Sequence, residues 1–387
     1  MERAKRVGLG TIAREWGRIG VLGFGGPPAH ILLLRRLCVE QRKWLGPDEF
    51  EDGIAATNLL PGPASTQLAI LTAWRLRGTP GALVGGACFI APGLVLILAL
   101  SVLFLAGDPP LWVLGAAAGA GAAVPAVAVQ AATSLVPASF TRTGRERAAR
   151  ARWAGYALAG AAAAVLTGPW LVLVLIASGL TEIAVRARGR SRGRPAVLPW
   201  AVALPALPAV GGLGALAWVA FKVGALSYGG GFVIIPLMQG DAVHRYHWMT
   251  DGQFLNAVAL GQVTPGPVVH TVAVVGYAAA GIGGGLLAAA VAFAPSFLFV
   301  LLGGRHFDRL RADRRVQDFL TGAGPAVIGA IAGSAVPLAA ALGHGWQWGV
   351  LAAALLWLVA ARRGVVAALL AAGVAGVLAA AAGLPVA

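Results

Sequence analysis

The tripeptide Pro61-Gly62-Pro63 recurs 204 residues later in the chain as Pro265-Gly266-Pro267. Neither copy can continue an α-helix, because each proline lacks an N–H donor and clashes with the carbonyl one turn earlier. Both copies nevertheless lie in uncharged stretches, 53–74 and 252–304, which are 22 and 53 residues long and therefore long enough to span a membrane. Broken backbone at that depth is tolerated only where protein buries it or where it lines a cavity.

The composition around these breaks is that of a membrane protein. Hydrophobic residues make up 58% of the 387 residues, charged residues make up 12%, and the mean hydropathy is +0.78, whereas soluble chains carry about a quarter charged residues. We therefore predict an all-α polytopic integral membrane protein, multi-pass in the plasma membrane. The uncharged stretches that support this prediction are 53–74, 78–107, 109–141, 153–181, 195–221, 252–304, 319–361 and 364–387.

The net charge of +15 comes from arginine-rich loops such as 142–152 and 186–194, which is typical of cytoplasmic loops rather than of nucleic-acid binding. With two cysteines, no disulfide framework, metal site or cofactor is expected. Ten spans are predicted and twelve remain open, because 153–185 and 364–385 each fit one helix or a hairpin. The other predicted helices are 11–36, 50–76, 80–106, 110–137, 217–240, 253–281, 283–303, 319–342 and 346–361, and 195–213 is expected to skim the membrane.

The Pro-Gly-Pro tripeptides belong to a longer repeat. At the same offset, which is predicted without a gap over 18–89, Phe24-Gly25-Gly26 matches Tyr228-Gly229-Gly230, Trp44 matches Trp248, and Gly81 matches Gly285. Loop charges at equivalent positions are opposite, as for Arg75 and Arg77 against the uncharged 279–281, which predicts two homologous inverted repeats of about five to six helices each. The predicted domains are 1–190 and 215–387, joined by a linker at 191–214.

The breaks predict an anion site without charged side chains. A helix that restarts at Pro63 or Pro267 exposes backbone N–H groups at 64–67 and 268–271, at the positive end of its dipole, and the glycine pairs offer further N–H groups. The alternative is a set of simple kinks in packed helices. The predicted binding residues are Gly25, Gly26, Pro61, Gly62, Pro63, Thr66, Gln67, Lys222, Gly229, Gly230, Thr264, Pro265, Gly266, Pro267 and Thr271.

Further polar residues flank the breaks. Lys222 lies between uncharged stretches, and a cation in the membrane is a functional-site hypothesis by default, although it can also snorkel to the interface, as can Arg18 at the equivalent position. Asp241 and Asp251 are expected in a solvated loop. The secondary candidates for the site are Arg18, His30, Asn58, Ser65, Tyr228, Gln262 and His270.

These residues carry a family resemblance. Gly23-Phe24-Gly25-Gly26-Pro27, Arg42-Lys43-Trp44 and Leu60-Pro61-Gly62-Pro63, with their second copies, resemble the chromate transporter family over about 16–105 and 218–303. The resemblance implies a secondary transporter that exports chromate from the cytoplasm and confers chromate resistance. Sulfate has the same tetrahedral shape and charge, so a sulfate or other oxyanion carrier stays open, as do an anion channel and, more distantly, an intramembrane enzyme. The expected partners are the oxyanion and the lipid bilayer, without nucleic acid, and a homodimer is left open.

Overall fold

The computed structural model describes residues 7–57, 62–105, 109–144, 146–166, 171–189, 212–227, 234–303 and 313–386. Within these ranges the chain is helical and contains no strand. Short π-helical segments at Arg36–Gln41, Gly240–Arg245 and Leu356–Ala360 continue α2, α9 and α13, and a 3-10 turn at Val268–His270 precedes α11. The α-helices are α1 Leu9–Leu22, α2 Pro27–Arg35, α3 Pro47–Thr57, α4 Ala64–Phe104, α5 Leu111–Thr143, α6 Arg147–Leu166, α7 Leu171–Gly189, α8 Leu213–Leu226, α9 Ile234–Gln239, α10 Asp251–Val263, α11 Thr271–Gly303, α12 Arg314–Ala340, α13 Gly345–Leu355 and α14 Val365–Ala381.

Four helical segments of the described chain are long and apolar enough to cross a membrane: Ala64–Phe104, Leu111–Thr143, Val268–Gly303 and Arg314–Ala340. The stretch 153–185 consists of two helices, α6 and α7, and the end of the chain likewise forms α13 and α14. Most of the stretch 195–213 lies outside the described residues.

The predictions of single helices at 11–36 and 50–76 are wrong, because each stretch folds back as a hairpin. Arg42 follows α2 and its extension, yet its Nη2 donates to Glu15 Oε1 of α1 at 2.8 Å, and Trp44 stacks on Trp16 at 6.4 Å. In the next hairpin Arg75, in α4, donates to the backbone carbonyl of Glu49 in α3. The physical reason is the break at each tip, where Gly25, Gly26 and Gly62 have φ of 96°, 74° and 119°, which glycine adopts without the steric cost of a Cβ.

The second half repeats the first in detail. The π-helical segments Arg36–Gln41 and Gly240–Arg245 are 204 residues apart, and Lys43 and His247 follow them with positive φ of 49° and 52°. Phe50 and Phe254 are both fully buried. The two homologous repeats are therefore also structural repeats.

The offset changes to 203 further along the repeat. Arg77 and Gly78 leave helical geometry inside α4, and Ala280 and Gly281 do so inside α11, with φ of 64° at both glycines. Each kink reverses the chain, so that Gly81 packs against the backbone near Ala73 and Gly284 packs against Gly276. Gly81 therefore corresponds to Gly284 rather than to Gly285, because the second half is one residue shorter between its Pro-Gly-Pro and the kink.

The tails of the two halves are exchanged. The helix α5 packs along α14 through Gly115 and Gly119, which approach the backbone of Gly376 too closely to leave room for a Cβ. Similarly, α12 packs along α6 and α7, where Gly329 contacts the Ala157 carbonyl and Gly322 contacts the Ser178 carbonyl. Each half therefore covers the long fifth helix of the other, and the hairpin tips are enclosed between α5 and α12.

Candidate functional site: crossed hairpin tips and their cavity

The hairpin tips of the two halves hold each other through a reciprocal pair of backbone hydrogen bonds. The Gly62 N–H donates to the Ser227 carbonyl at 2.7 Å, and the Gly266 N–H donates to the Gly23 carbonyl at 3.0 Å. Both donors and both acceptors are 204 residues apart, so the two bonds are equivalent in the repeat. Because the prolines on either side of each glycine have no N–H, the glycine supplies the donor at each tip.

A cavity of about 430 Å³ opens beside this crossing. Its inner wall includes backbone of Gly25, Gly26 and Gly62 and the side chain of Gln262. No acidic side chain is among the described residues that line it. The full lining is Gly25, Gly26, Pro27, Pro28, Ile31, Thr57, Gly62, Ala64, Gln130, Ala131, Ser134, Leu135, Ala138, Ser139, Arg142, Gln262, Val268, Leu320, Thr321, Gly324, Val327, Ile328 and Val365.

The polar wall on α5 was missed by the sequence analysis. Gln130, Ser134 and Arg142 are spaced by multiples of four residues and form one stripe along the cavity, which Ser139 adjoins. Arg142 is exposed and is the cation of the described lining. The stripe was visible as i, i+4 polar residues in an otherwise apolar helix, but the sequence analysis weighed charges rather than amides and hydroxyls.

Fewer backbone donors are free at the restarted helices than predicted. The N–H groups of Thr66 and Gln67 both donate to the Pro63 carbonyl, at 2.9 and 3.0 Å. In the second half His270 N–H donates to Pro267 and Thr271 N–H to Val268 and Val269. The prediction of four free groups per helix is therefore wrong, since the first turn closes early. Ala64 and Val268, at the first position of each restart, line the cavity.

The predicted hydroxyl ligands lie behind the cavity wall. The hydroxyls of Thr264 and Thr271 donate within their own segments, to the carbonyls of Leu260 and Val268, each at 2.8 Å. Thr66 and Gln67 are fully buried. None of these four residues is in the described lining, whereas Gly25, Gly26, Gly62 and Gln262 are.

Buried polar atoms without a hydrogen-bond partner surround the Gly62 tip. They include Gln262 Nε2, Ser227 Oγ and Ser296 Oγ. Ser227 accepts the Gly62 N–H through its carbonyl, and a Cβ at Gly62 would lie 3.4 Å from Ser296 Oγ. A buried polar atom left unpaired costs about 1–3 kcal/mol, so this ring of amide and hydroxyl groups is suited to receiving a polar ligand or water.

Two histidines are buried on either side of the Gly23–Gly266 bond. His30 Nε2 lies 2.8 Å from the Gly23 carbonyl, and its Nδ1 lies 3.1 Å from Ser65 Oγ. Because a carbonyl only accepts, Nε2 carries the proton, and a neutral ring then accepts from Ser65 through Nδ1. His270 is also fully buried, and the Ile90 carbonyl lies near its ring, but neither of its nitrogens forms a hydrogen bond of standard geometry.

The structure places Lys222 outside the cavity. Its ammonium group is paired with Asp241, which is 1% exposed and lies in the π-helical segment after α9. Asp241 is therefore not in a solvated loop as predicted, because the second arm of its hairpin folds back against α8. Arg18 is exposed on α1, and neither cation is in the described lining.

The remaining predicted residues have simple positions. Pro63, Pro265 and Pro267 form the tips that carry the crossing, and Gly266 donates one of its two bonds. Ser65 serves His30. Asn58, Pro61, Tyr228, Gly229 and Gly230 lie outside the described residues.

Broken, paired hairpins inside two homologous repeats of apolar helices, with a donor-lined cavity at their crossing, define the class as multi-pass membrane proteins with a polar site inside the protein. A family model described as chromate transporter matches residues 10–183 and 214–377, and the chain belongs to that family. The class and the family agree on an all-α protein of two repeats.

Individual relatives support the same conclusion. The chain is 33% identical over 330 residues to a chromate transport protein of Cupriavidus metallidurans, covering 83% of this chain and 80% of the relative. It is 32% identical to a chromate transport protein of Pseudomonas aeruginosa, covering 83% and 79%, and 25% identical to an uncharacterized transporter of Methanocaldococcus jannaschii, covering 83% and 82%. No solved structure matches the chain.

Proposed function

We propose that this protein is a secondary transporter that exports chromate, or a closely related tetrahedral oxyanion, and that the anion binds in the cavity beside the crossed tips. The observation that carries the proposal is the chemistry of the lining. Glycine backbone, the Gln262 amide, the Gln130 amide and the Arg142 guanidinium border it, and no carboxylate is among its described residues. That arrangement favours an anion over a cation.

The site is suited to alternating access. The two tip-to-tip bonds join the halves at one level, and equivalent bonds are related by the repeat. Inverted repeats permit two mirror-related arrangements around a fixed central site, so that the substrate is reached from one side at a time. Arg142 borders the arginine-rich loop predicted to be cytoplasmic, so the present cavity faces the cytoplasm, and the exported anion enters there.

Counterflow in proteoliposomes tests the proposal. Vesicles loaded with unlabelled chromate should take up labelled chromate faster than empty vesicles, because a carrier returns faster when occupied. Sulfate and molybdate in competition identify the preferred oxyanion, and inverted membrane vesicles test the direction. Labelled chromate that equilibrates without trans-stimulation would indicate a channel, and absence of chromate movement above that of empty liposomes would refute the proposal.

A further inference from the structure

His270 occupies an unusual position for a histidine. It ends the 3-10 turn Val268–His270 directly after the second Pro-Gly-Pro, and Val268 at the start of this turn lines the cavity. The ring is 0% exposed. It is enclosed by glycines, since a Cβ at Gly93 or at Gly266 would lie 2.7 or 2.9 Å from its Cε1.

Both ring nitrogens of His270 lack a hydrogen-bond partner, whereas both nitrogens of His30 are engaged. A neutral imidazole has one donor and one acceptor, and a buried polar atom without a partner requires an explanation such as a functional role or an unseen ligand. Packing is a sufficient role for an apolar side chain of this size, but the nitrogens then only destabilise the fold.

The equivalent position in the first half is not titratable. Gln67 Nε2 lies under Gly62 as the His270 ring lies under Gly266, which is the 203-residue register of the later part of the repeat. Gln67 cannot gain a proton near neutral pH, while histidine is the side chain whose charge changes between about pH 5 and 8. The crossing therefore carries a titratable group at one of two equivalent places.

A proton on His270 would act directly on an anion in the cavity. The titratable group that faces it across the Gly23–Gly266 bond is His30, and α4 and α11 contribute the uncharged Gly93, Ile90 and Phe293 around the ring. Arg142 borders the same cavity. An added positive charge in this weakly polar surrounding attracts an oxyanion, and by reciprocity the bound oxyanion favours the proton.

We propose that His270 is a proton-binding site linked to oxyanion occupancy, so that one proton from the solvent is taken up on an imidazole nitrogen when the anion binds. The proposal rests on the proposed function, because the cavity must bind an oxyanion. No covalent bond forms to the anion. Linkage to one proton predicts that affinity rises as pH falls, approaching about tenfold per pH unit where His270 titrates.

The experiment measures chromate binding to the purified full-length protein between about pH 5 and 8, for wild type, His270→Gln and His244→Gln. His270→Gln reproduces the residue of the first half, and His244 is an exposed histidine that serves as the matched control. Chromate itself titrates in this range, so the measured quantity is the ratio of wild-type to variant dissociation constants, in which the chemistry of free chromate cancels. Proton uptake on binding is read with a pH indicator in weak buffer.

The expected result is that wild type binds progressively more tightly than His270→Gln as pH falls and takes up one proton more per anion, while His244→Gln follows wild type. A constant ratio at every pH, with equal proton uptake, overturns the proposal. If His270→Gln does not fold, Gln67→His decides, since an imidazole there should add a second linked proton, and an unchanged proton count overturns the proposal. Wild type that neither binds chromate nor shows counterflow refutes the proposed function instead.

Discussion

Substitution of Gly62 by alanine tests the crossed-tip site most directly. Gly62 has φ of 119°, a conformation that residues with a Cβ avoid at a cost of about 1–3 kcal/mol. A Cβ there would meet the buried Gln67 amide and lie 3.4 Å from Ser296 Oγ. Displacing these buried polar groups, and with them the Gly62–Ser227 bond, adds about 1–3 kcal/mol. We therefore expect Gly62→Ala to lower stability by about 2–5 kcal/mol.

Gly78→Ala is the matched control for this change. Gly78 also has a positive φ, of 64°, but a Cβ there would meet nothing within 4 Å, and the residue is not in the described cavity lining. It should therefore show the backbone cost alone, about 1–3 kcal/mol. The difference between the two variants isolates the effect of filling the tip.

The assay is thermal unfolding of the purified protein with and without chromate. Gly62→Ala should lose the protection by chromate, because the new methyl group displaces the tip that borders the cavity, while Gly78→Ala should keep it. The reasoning is refuted if Gly62→Ala remains folded and binds chromate with the wild-type dissociation constant.

Three further predictions concern single contacts. Arg142→Gln should raise the chromate KM about tenfold and weaken its salt dependence, while Arg147→Gln, outside the described lining, should not; equal kinetics of the two variants would exclude Arg142 from the site. Lys222→Gln should destabilise the protein by about 3–5 kcal/mol by leaving Asp241 buried and unpaired, and Lys222→Gln with Asp241→Asn should restore melting and retain chromate binding; a refolded double variant without binding would instead support the predicted direct contact between Lys222 and the anion. Gly20→Ala should cost about 1–3 kcal/mol in thermal unfolding, because its Cβ would lie 2.6 Å from the Phe89 carbonyl, whereas Gly10→Ala, with nothing within 4 Å, should stabilise α1 by up to about 1 kcal/mol.

The breaks could be predicted from the sequence because proline and glycine act locally. Pro-Gly-Pro excludes a continuous helix whatever surrounds it, and both copies end and restart helices as expected. What the sequence did not indicate is the direction after each break. A glycine with positive φ can turn the chain back as easily as kink it, and only the contacts of Arg42 with Glu15 and of Arg75 with Glu49 decide for a hairpin.

The exchanged tails and the α5 wall were beyond the local argument. Helices of alanine and glycine pack against any similar helix, so no residue pattern indicates that α5 packs on α14 rather than on α6. One signal was overlooked: Pro125 and Pro137 in α5 match Pro325 and Pro337 in α12 at an offset of 200, which identifies these helices as equivalents. Their polar faces still meet the tips only through tertiary packing, and so Gln130 and Arg142 could not be assigned to the cavity.

The distribution of charge around the cavity has a consequence for turnover. A fixed cation in contact with a dianion inside the membrane would bind it by several kcal/mol even at an effective dielectric of about 20, and such a site would release its anion slowly. The structure avoids this arrangement, because Lys222 is neutralised by Asp241, Arg142 is exposed at the cavity, and the crossing itself presents glycine backbone and the Gln262 amide. Neutral donors select an oxyanion but hold it weakly. A histidine beside the crossing can then supply a positive charge that is gained on binding and lost on release, so that affinity and turnover are set by the same proton.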